Sequence, residues 1–273
     1  MLMVLMLIIG LASAFMGSLV GLGGGLIFVP SLLFLSKVLD SFTWVTPQNV
    51  VAMSLLIMIF TGLSSTLTYL KNKRVDIHSG LIFLIGSIPG ALVGVWLNNY
   101  VDIESFELYF GILMLLLASL FFVKDKLLKH AQNKDLSQKK FYVHRQFEIN
   151  NETVVYSFSV VLGLIISFFV GLISGLFGIG GGSLMVTAMI LFFSFPAHIA
   201  APTSMFMIFV SSIFSTGAHV FAGHVIWEYA IMAVPGAWIG GVLGAKLNQR
   251  LNSNILEWIL RLLMIIIGVR LIL

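Results

Sequence analysis

Residues 153–245 contain a single formally charged side chain, Glu228, and the stretch between Val38 and Lys71 contains only Asp40. Runs this long and this apolar exceed the roughly 20 residues that carry a helix across a bilayer. Composition agrees: 59% of the 273 residues are hydrophobic and 10% are charged, against about 25% charged in an ordinary soluble domain. A soluble fold of this size cannot hide so much apolar surface, so the chain reads as an all-α, polytopic helical membrane protein.

Several chemistries drop out at once. With no cysteine there is no disulfide framework, thiolate metal site or cysteine nucleophile. The net charge of +4 does not point to nucleic acid. Lys124, Lys126, Lys129, Lys134, Lys139, Lys140 and Arg145 crowd into one polar stretch between apolar blocks, as the positive-inside rule expects of a cytoplasmic loop. Residues 1–15 imitate a secretory signal ending in Ala12-Ser13-Ala14, but they lack a basic start, and the segment reads as a retained first helix.

Apolar blocks predict helices near 2–20, 26–36, 50–70, 79–97 and 107–123, then near 153–176, 183–195, 204–222, 229–247 and 255–273. This gives a first transmembrane repeat (1–123), a basic cytoplasmic linker (124–152) and a second repeat (153–273), with 8 to 10 crossings. The repeat is visible in matched words. Gly21-Leu22-Gly23-Gly24-Gly25-Leu26 answers Gly178-Ile179-Gly180-Gly181-Gly182-Ser183, Met58-Ile59-Phe60 answers Met207-Ile208-Phe209, and Pro89-Gly90-Ala91 answers Pro235-Gly236-Ala237. Loop charges reverse between the halves: Lys71, Lys73 and Arg74 follow the third segment, whereas the matching loop of the second half holds Glu228, and Lys246 and Arg250 come one loop later. Lys and Arg bias a loop to the cytoplasm, so the five-segment halves are expected to be inverted repeats in a multi-pass protein of the plasma membrane.

Each half opens with a long helix interrupted by GxGGG. Glycine is poor inside a helix and free at unusual backbone angles, so three in a row should break it. The short segments that follow, starting near Leu26 and Ser183, cannot cross a bilayer alone, and such pairs point to a transporter's binding site. New helix starts expose unpaired N–H groups and about half a positive charge. An anion site without a lysine or arginine follows, formed by Gly23, Gly24, Gly25 and Leu26 with Gly180, Gly181, Gly182 and Ser183. The other reading of the glycines is tight helix packing, and for Gly86, Gly90, Gly94, Gly236, Gly240 and Gly244 it is the better one. Ser54 and the pair Thr203-Ser204 lie near equivalent positions, with a one-residue ambiguity. Two roles fit them: donation to an oxyanion, or a bond to the carbonyl one turn back. His78, His198, His219, His224 and Glu228 lie near segment ends, Glu257 and Arg261 are one helical turn apart, and Arg270 can snorkel. No HExxH, GxSxG or paired intramembrane Asp is present, so neither an enzyme, a metal nor a cofactor is expected.

The sequence resembles the sulfite exporter TauE/SafE family of permeases. The resemblance lies in GLGGGLIFVPSLL from Gly21, GIGGGSLMVTAMI from Gly178, Pro202-Thr203-Ser204, Lys73-Arg74-Val75-Asp76 and the two Pro-Gly-Ala words. Thr187 departs from it by standing where the first half has Pro30, and Met53-Ser54 replaces a Thr-Ser pair. The resemblance implies a carrier of small sulfur oxyanions such as sulfite, sulfonates or sulfoacetate. With the paired breaks it gives the expectation of a secondary transporter working by alternating access. The alternatives are a passive anion channel and a non-transporting membrane scaffold. The partners expected are a small anion and the lipid bilayer, not nucleic acid.

Overall fold

The computed structural model describes residues 2–42, 44–131, 142–149, 152–193, 195–251 and 253–272. Ten α-helices lie among them: α1 (Leu2–Val20), α2 (Gly25–Val38), α3 (Pro47–Leu70), α4 (Ile77–Asn98), α5 (Ile103–Ala131), α6 (Val160–Phe177), α7 (Gly182–Phe192), α8 (Ala197–Phe221), α9 (Trp227–Asn248) and α10 (Ser253–Ile272). A single 3-10 turn (Asp40–Phe42) precedes α3. Two antiparallel strands, β1 (Tyr142–Ile149) and β2 (Glu152–Ser159), stand between α5 and α6. Six helices, α1, α3, α4, α6, α8 and α9, are long and apolar enough to cross a membrane. The protein is a helical multi-pass membrane protein.

Local chemistry sets the helix ends. Thr46 caps α3 by accepting from the Asn49 N–H, with Pro47 at the first turn, where its missing N–H costs nothing. Asp76 caps α4 through the Ser79 N–H, and Ser159 caps α6 through the Leu162 N–H. α1 and α6 end at the glycine breaks instead, and α6 terminates on Gly178 at φ +65°.

Helices α3 and α8 form the centre, with 78% and 72% of their spanning windows buried against 39–50% for the other four. They pack on each other, α1 packs along α9, α4 along α6, and α5 along α10. Glycines make the two long pairings close. A methyl group at Gly236, Gly240 or Gly244 would fall on the carbonyl of Leu7, Leu11 or Phe15, and one at Gly86, Gly90 or Gly94 on that of Leu164, Phe168 or Leu172. The packing reading of these glycines is what the helices use. Contacts rise in step along both helices of each pair, so α1 runs parallel to α9 and α4 to α6.

These contacts also correct the repeat register. Gly86, Gly90 and Gly94 occupy the places of Gly236, Gly240 and Gly244, so the Pro-Gly-Ala words match one helical turn out of step. Ser54 takes the place of Ser204, since each bonds the first glycine of the other half's break, and Met58 then answers Ile208 rather than Met207.

The two strands are elements the sequence reading lacks. A helix was expected from 153, but β2 occupies Glu152–Ser159 and α6 begins at Val160. Tyr156 and Phe158 are buried while Val155 is exposed, the period-two pattern of a strand. At the other end of the expected linker, α5 continues to Ala131.

Candidate functional site

Residues 21–26 and 178–182 are all buried, and the two breaks meet in the middle of the bundle. The Gly25 α-carbon lies so close to the Gly178 carbonyl that an added methyl group would overlap it. At Gly182 the same methyl group would come 3.0 Å from the Gly21 carbonyl oxygen. Met58 from α3 and Ile208 from α8 fill the space between the breaks, Met58 against Gly23, Gly25 and Gly180, and Ile208 against Gly23 and Gly182.

The turns themselves need glycine. Gly21, Gly23 and Gly24 have φ of +84°, +79° and +100°, and Gly178 and Gly180 have +65° and +70°, angles that side chains disfavour. Short helices then begin at Gly25 and Gly182, and neither start carries a side-chain cap. Their 14 and 11 residues extend about 21 and 16 Å at 1.5 Å per residue, well short of the roughly 30 Å of a hydrocarbon core. Leu26 is buried beside the first start; the side chain of Ser183 lies outside the described part.

Each half holds the other's break. Ser54 Oγ donates to the Gly178 carbonyl at 2.6 Å, and Ser204 Oγ lies 2.8 Å from the Gly21 carbonyl and 2.7 Å from that of Ala201. A second matched pair, absent from the sequence reading, supports the same joints. Asn98 Nδ2 donates to the Leu176 carbonyl at 2.8 Å and Asn248 Nδ2 to that of Leu19 at 2.6 Å. These bonds satisfy carbonyls that the broken helices leave open. A hydroxyl has one proton, so in this arrangement both serines spend it on the protein. Thr203 Oγ1 accepts from the Asp76 N–H at 3.0 Å.

Other singled-out residues lie away from the breaks. His219 Nδ1 is 3.1 Å from His224 Nδ1, and the Arg270 guanidinium sits 3.8 Å over the Phe34 ring, a cation–π contact. The side chain of Glu257 lies outside the described part. Ser64 and Thr68 bond helix carbonyls, and Ser65 bonds Ser18. The residue that sequence reasoning undervalued is Asp76. It is 1% exposed, and its carboxylate accepts from Ser79 Oγ (2.5 Å), Tyr156 Oη (2.8 Å) and Arg145 Nη2 (3.0 Å). Burial pushes the carboxyl up, but these hydrogen bonds together outweigh burial and hold it below the usual range. Burial and the neighbouring carboxylate push the Tyr156 phenol up.

The arrangement presents two uncapped, dipole-bearing helix starts to one buried locus without a formal charge. It suits a small ligand with acceptor oxygens. The sulfite exporter TauE/SafE family model matches residues 6–271. A probable membrane transporter protein of Bacillus subtilis, YunE, is 46% identical over 98% of this chain and 97% of its own length. Probable membrane transporter proteins of Haemophilus influenzae and Methanocaldococcus jannaschii are 25% and 24% identical, covering 94% and 98% of this chain and 89% and 94% of theirs. No solved structure matches. A multi-pass chain that carries the same glycine break twice, and that such a family model covers almost from end to end, belongs to the sulfite exporter TauE/SafE family of membrane transporters.

Proposed function

We propose that the protein is a secondary carrier of small sulfur oxyanions, such as sulfite, sulfonates or sulfoacetate, which it binds at the paired breaks and moves by alternating access between inverted halves. One observation carries this reading: the two uncapped starts of α2 and α7 converge, and each is tied to the opposite half by a matched serine. Backbone N–H groups and helix dipoles favour an anion there. The absence of a fixed cation keeps binding weak enough for release.

Inversion is supported by helix direction. α9 runs with α1, and it also runs with α3, since Ser65 lies 3.3 Å from the Gly241 carbonyl and Asn72 Nδ2 donates to Gln249 Oε1 at 2.9 Å. α4 turns back from α3 through residues 71–76, so it opposes α9, its own counterpart. The Asn72–Gln249 bond also joins the loop bearing Lys71, Lys73 and Arg74 to the end of α9, with Lys246 in its last turn and Arg250 just beyond. Arg145 reaches the same end through Asp76. Under the positive-inside rule this gathering of Lys and Arg supports a cytoplasmic face, and with it a cytoplasmic connector of residues 124–152 in a plasma-membrane protein. Met58 and Ile208 close the site in this arrangement, and an unbranched Met can swing aside to admit an anion.

Proteoliposomes loaded with sulfite, a sulfonate, sulfate or acetate test the reading. Labelled sulfite or sulfonate should show saturable uptake and counterflow that acetate does not reproduce. Absence of competition by every sulfur oxyanion would overturn the substrate class, and unsaturable flux would make the protein a channel.

A further inference from the structure

The β1–β2 hairpin is the conspicuous departure from the twofold plan. The place of Asp76 is taken in the second half by Ile226, and α9 starts there with no side-chain cap. No carboxylate stands there to hold a hairpin, and what β1–β2 covers becomes the question. Tyr156 packs on Phe195 with ring centres 4.0 Å apart and the planes tilted by 40°, and Phe158 packs on Phe193 at 5.6 Å and on Phe83 of α4 at 4.8 Å. Phe193 and Phe195 belong to the short link between α7 and α8. These two helices supply the second break's helix start and Ser204. The hairpin thus lies across the outer end of the second short helix, on the face where the basic loops gather.

Its hold is polar as well as apolar. Arg145 and Tyr156 stand directly opposite each other in the strand register, and both bond the Asp76 carboxylate. Asp76 also reaches inward, because its N–H donates to Thr203 Oγ1 at 3.0 Å and the next residue, Ser204, lies 2.8 Å from the Gly21 carbonyl. One buried residue touches the hairpin on one side and the neighbour of the break's serine on the other. Hydrogen bonds of this kind exchange with water when they open, so the catch can release and re-form. The two strands share one carboxylate and let go together.

We propose that the hairpin is the cytoplasmic gate of the carrier, and that Asp76 is the positioning residue that couples its opening to the glycine break. This rests on the transport reading above. Lifting the hairpin frees the α7–α8 link to move, and with it the start of α8 that carries Thr203 and Ser204.

The chain has no cysteine, so a single Phe193→Cys reports directly on cover by the hairpin. In inside-out vesicles an impermeant maleimide should label it slowly, and Arg145→Ala or Asp76→Asn should speed labelling about ten-fold or more, the scale of losing one charged hydrogen bond. Arg145→Lys should restore much of the protection, which a merely misfolded variant would not show. Labelling rates unchanged by both Arg145→Ala and Asp76→Asn would overturn the gate. In a second arm, Tyr156→Cys and Phe195→Cys are bridged by a short reducible thiol crosslinker. Anion flux should stop and should return on reduction, and flux that continues through the bridged protein would overturn the gate while leaving the carrier intact. If the unbridged protein moves no anion, the transport reading falls, and the labelling arm still decides whether the hairpin opens.

Discussion

The two glycine breaks are spelled almost alike, yet their backbones part at the residue that precedes each short helix. Gly24 sits at φ +100° and ψ −19°, whereas Gly181, its counterpart, has φ −52° and ψ −10°. The first break is a turn that only glycine makes easily, with three positive φ angles against two in the second. In the second, glycine at 181 serves no left-handed turn, and its need is a modest steric one: the nearest atom to an added methyl is Val170 Cγ1 at 3.3 Å, close enough that this side chain must shift slightly. Sequence identity at a glycine therefore hides two degrees of need, conformational and steric at Gly24 and modestly steric alone at Gly181. The halves of this transporter are equal in plan and unequal in the backbone of their breaks.

The comparison can be broken most directly at the pair Gly25 and Gly182. A methyl group at Gly25 meets the Gly178 carbonyl and stands 2.7 Å from Ser54 Oγ, so the two breaks would have to separate. Gly25→Ala should cost about 3 kcal/mol, the upper range of overpacking, and abolish flux. At Gly182 the nearest atoms belong to the flexible end of Ile208, and Gly182→Ala should cost about 1 kcal/mol, the lower end of that range. Melting curves in detergent with flux on the same samples check both. Equal losses would mean that the breaks are sterically equivalent after all.

Gly24 and Gly181 sharpen the same contrast at smaller amplitude. Gly24→Ala forces a side chain into a left-handed backbone, at roughly 1–2 kcal/mol, with the Ser13 carbonyl 2.9 Å away. Gly181→Ala should be near neutral, because its φ suits any residue and the roughly 0.4–1 kcal/mol returned by a less flexible unfolded chain is offset by the shift that Val170 Cγ1, 3.3 Å away, must make. A melting temperature lowered for the first and unchanged for the second is the expected result. Similar shifts for both would remove the distinction.

What the sequence made legible follows from the same physics. A GxGGG run states a backbone requirement in its letters, so both breaks could be found, paired and read as helix starts. The register between halves could not, because inside uniformly apolar helices a match such as Met-Ile-Phe arises easily. Contacts such as Ser54 to Gly178 and Ser204 to Gly21 decide it instead. The hairpin was hidden for a related reason: the apolar residues of β2 run straight into those of α6, and the period-two signal lasts only from Val154 to Phe158. Asp76 was visible only as part of Lys73-Arg74-Val75-Asp76, since Arg145 and Tyr156 lie 69 and 80 residues away. No local pattern announces a carboxylate whose partners come from another element.

The matched serines give the smallest difference. Ser54 Oγ has one acceptor, the Gly178 carbonyl, whereas the proton of Ser204 is divided between Gly21 and Ala201. Removing Ser54 leaves a buried carbonyl of the second break without its donor at all times, a loss of about 1–3 kcal/mol. Removing Ser204 deprives Gly21 of a bond that was made only part of the time, so Ser204→Ala should sit at about 1 kcal/mol, the bottom of that range. Both variants also free the break to move, and anion flux should be affected in the same order as melting temperature if the serines act only as ties between halves. If Ser204→Ala instead raises KM for sulfite while leaving the melting temperature alone, its hydroxyl turns toward the anion during transport. The first break's tie would then be part of the binding site.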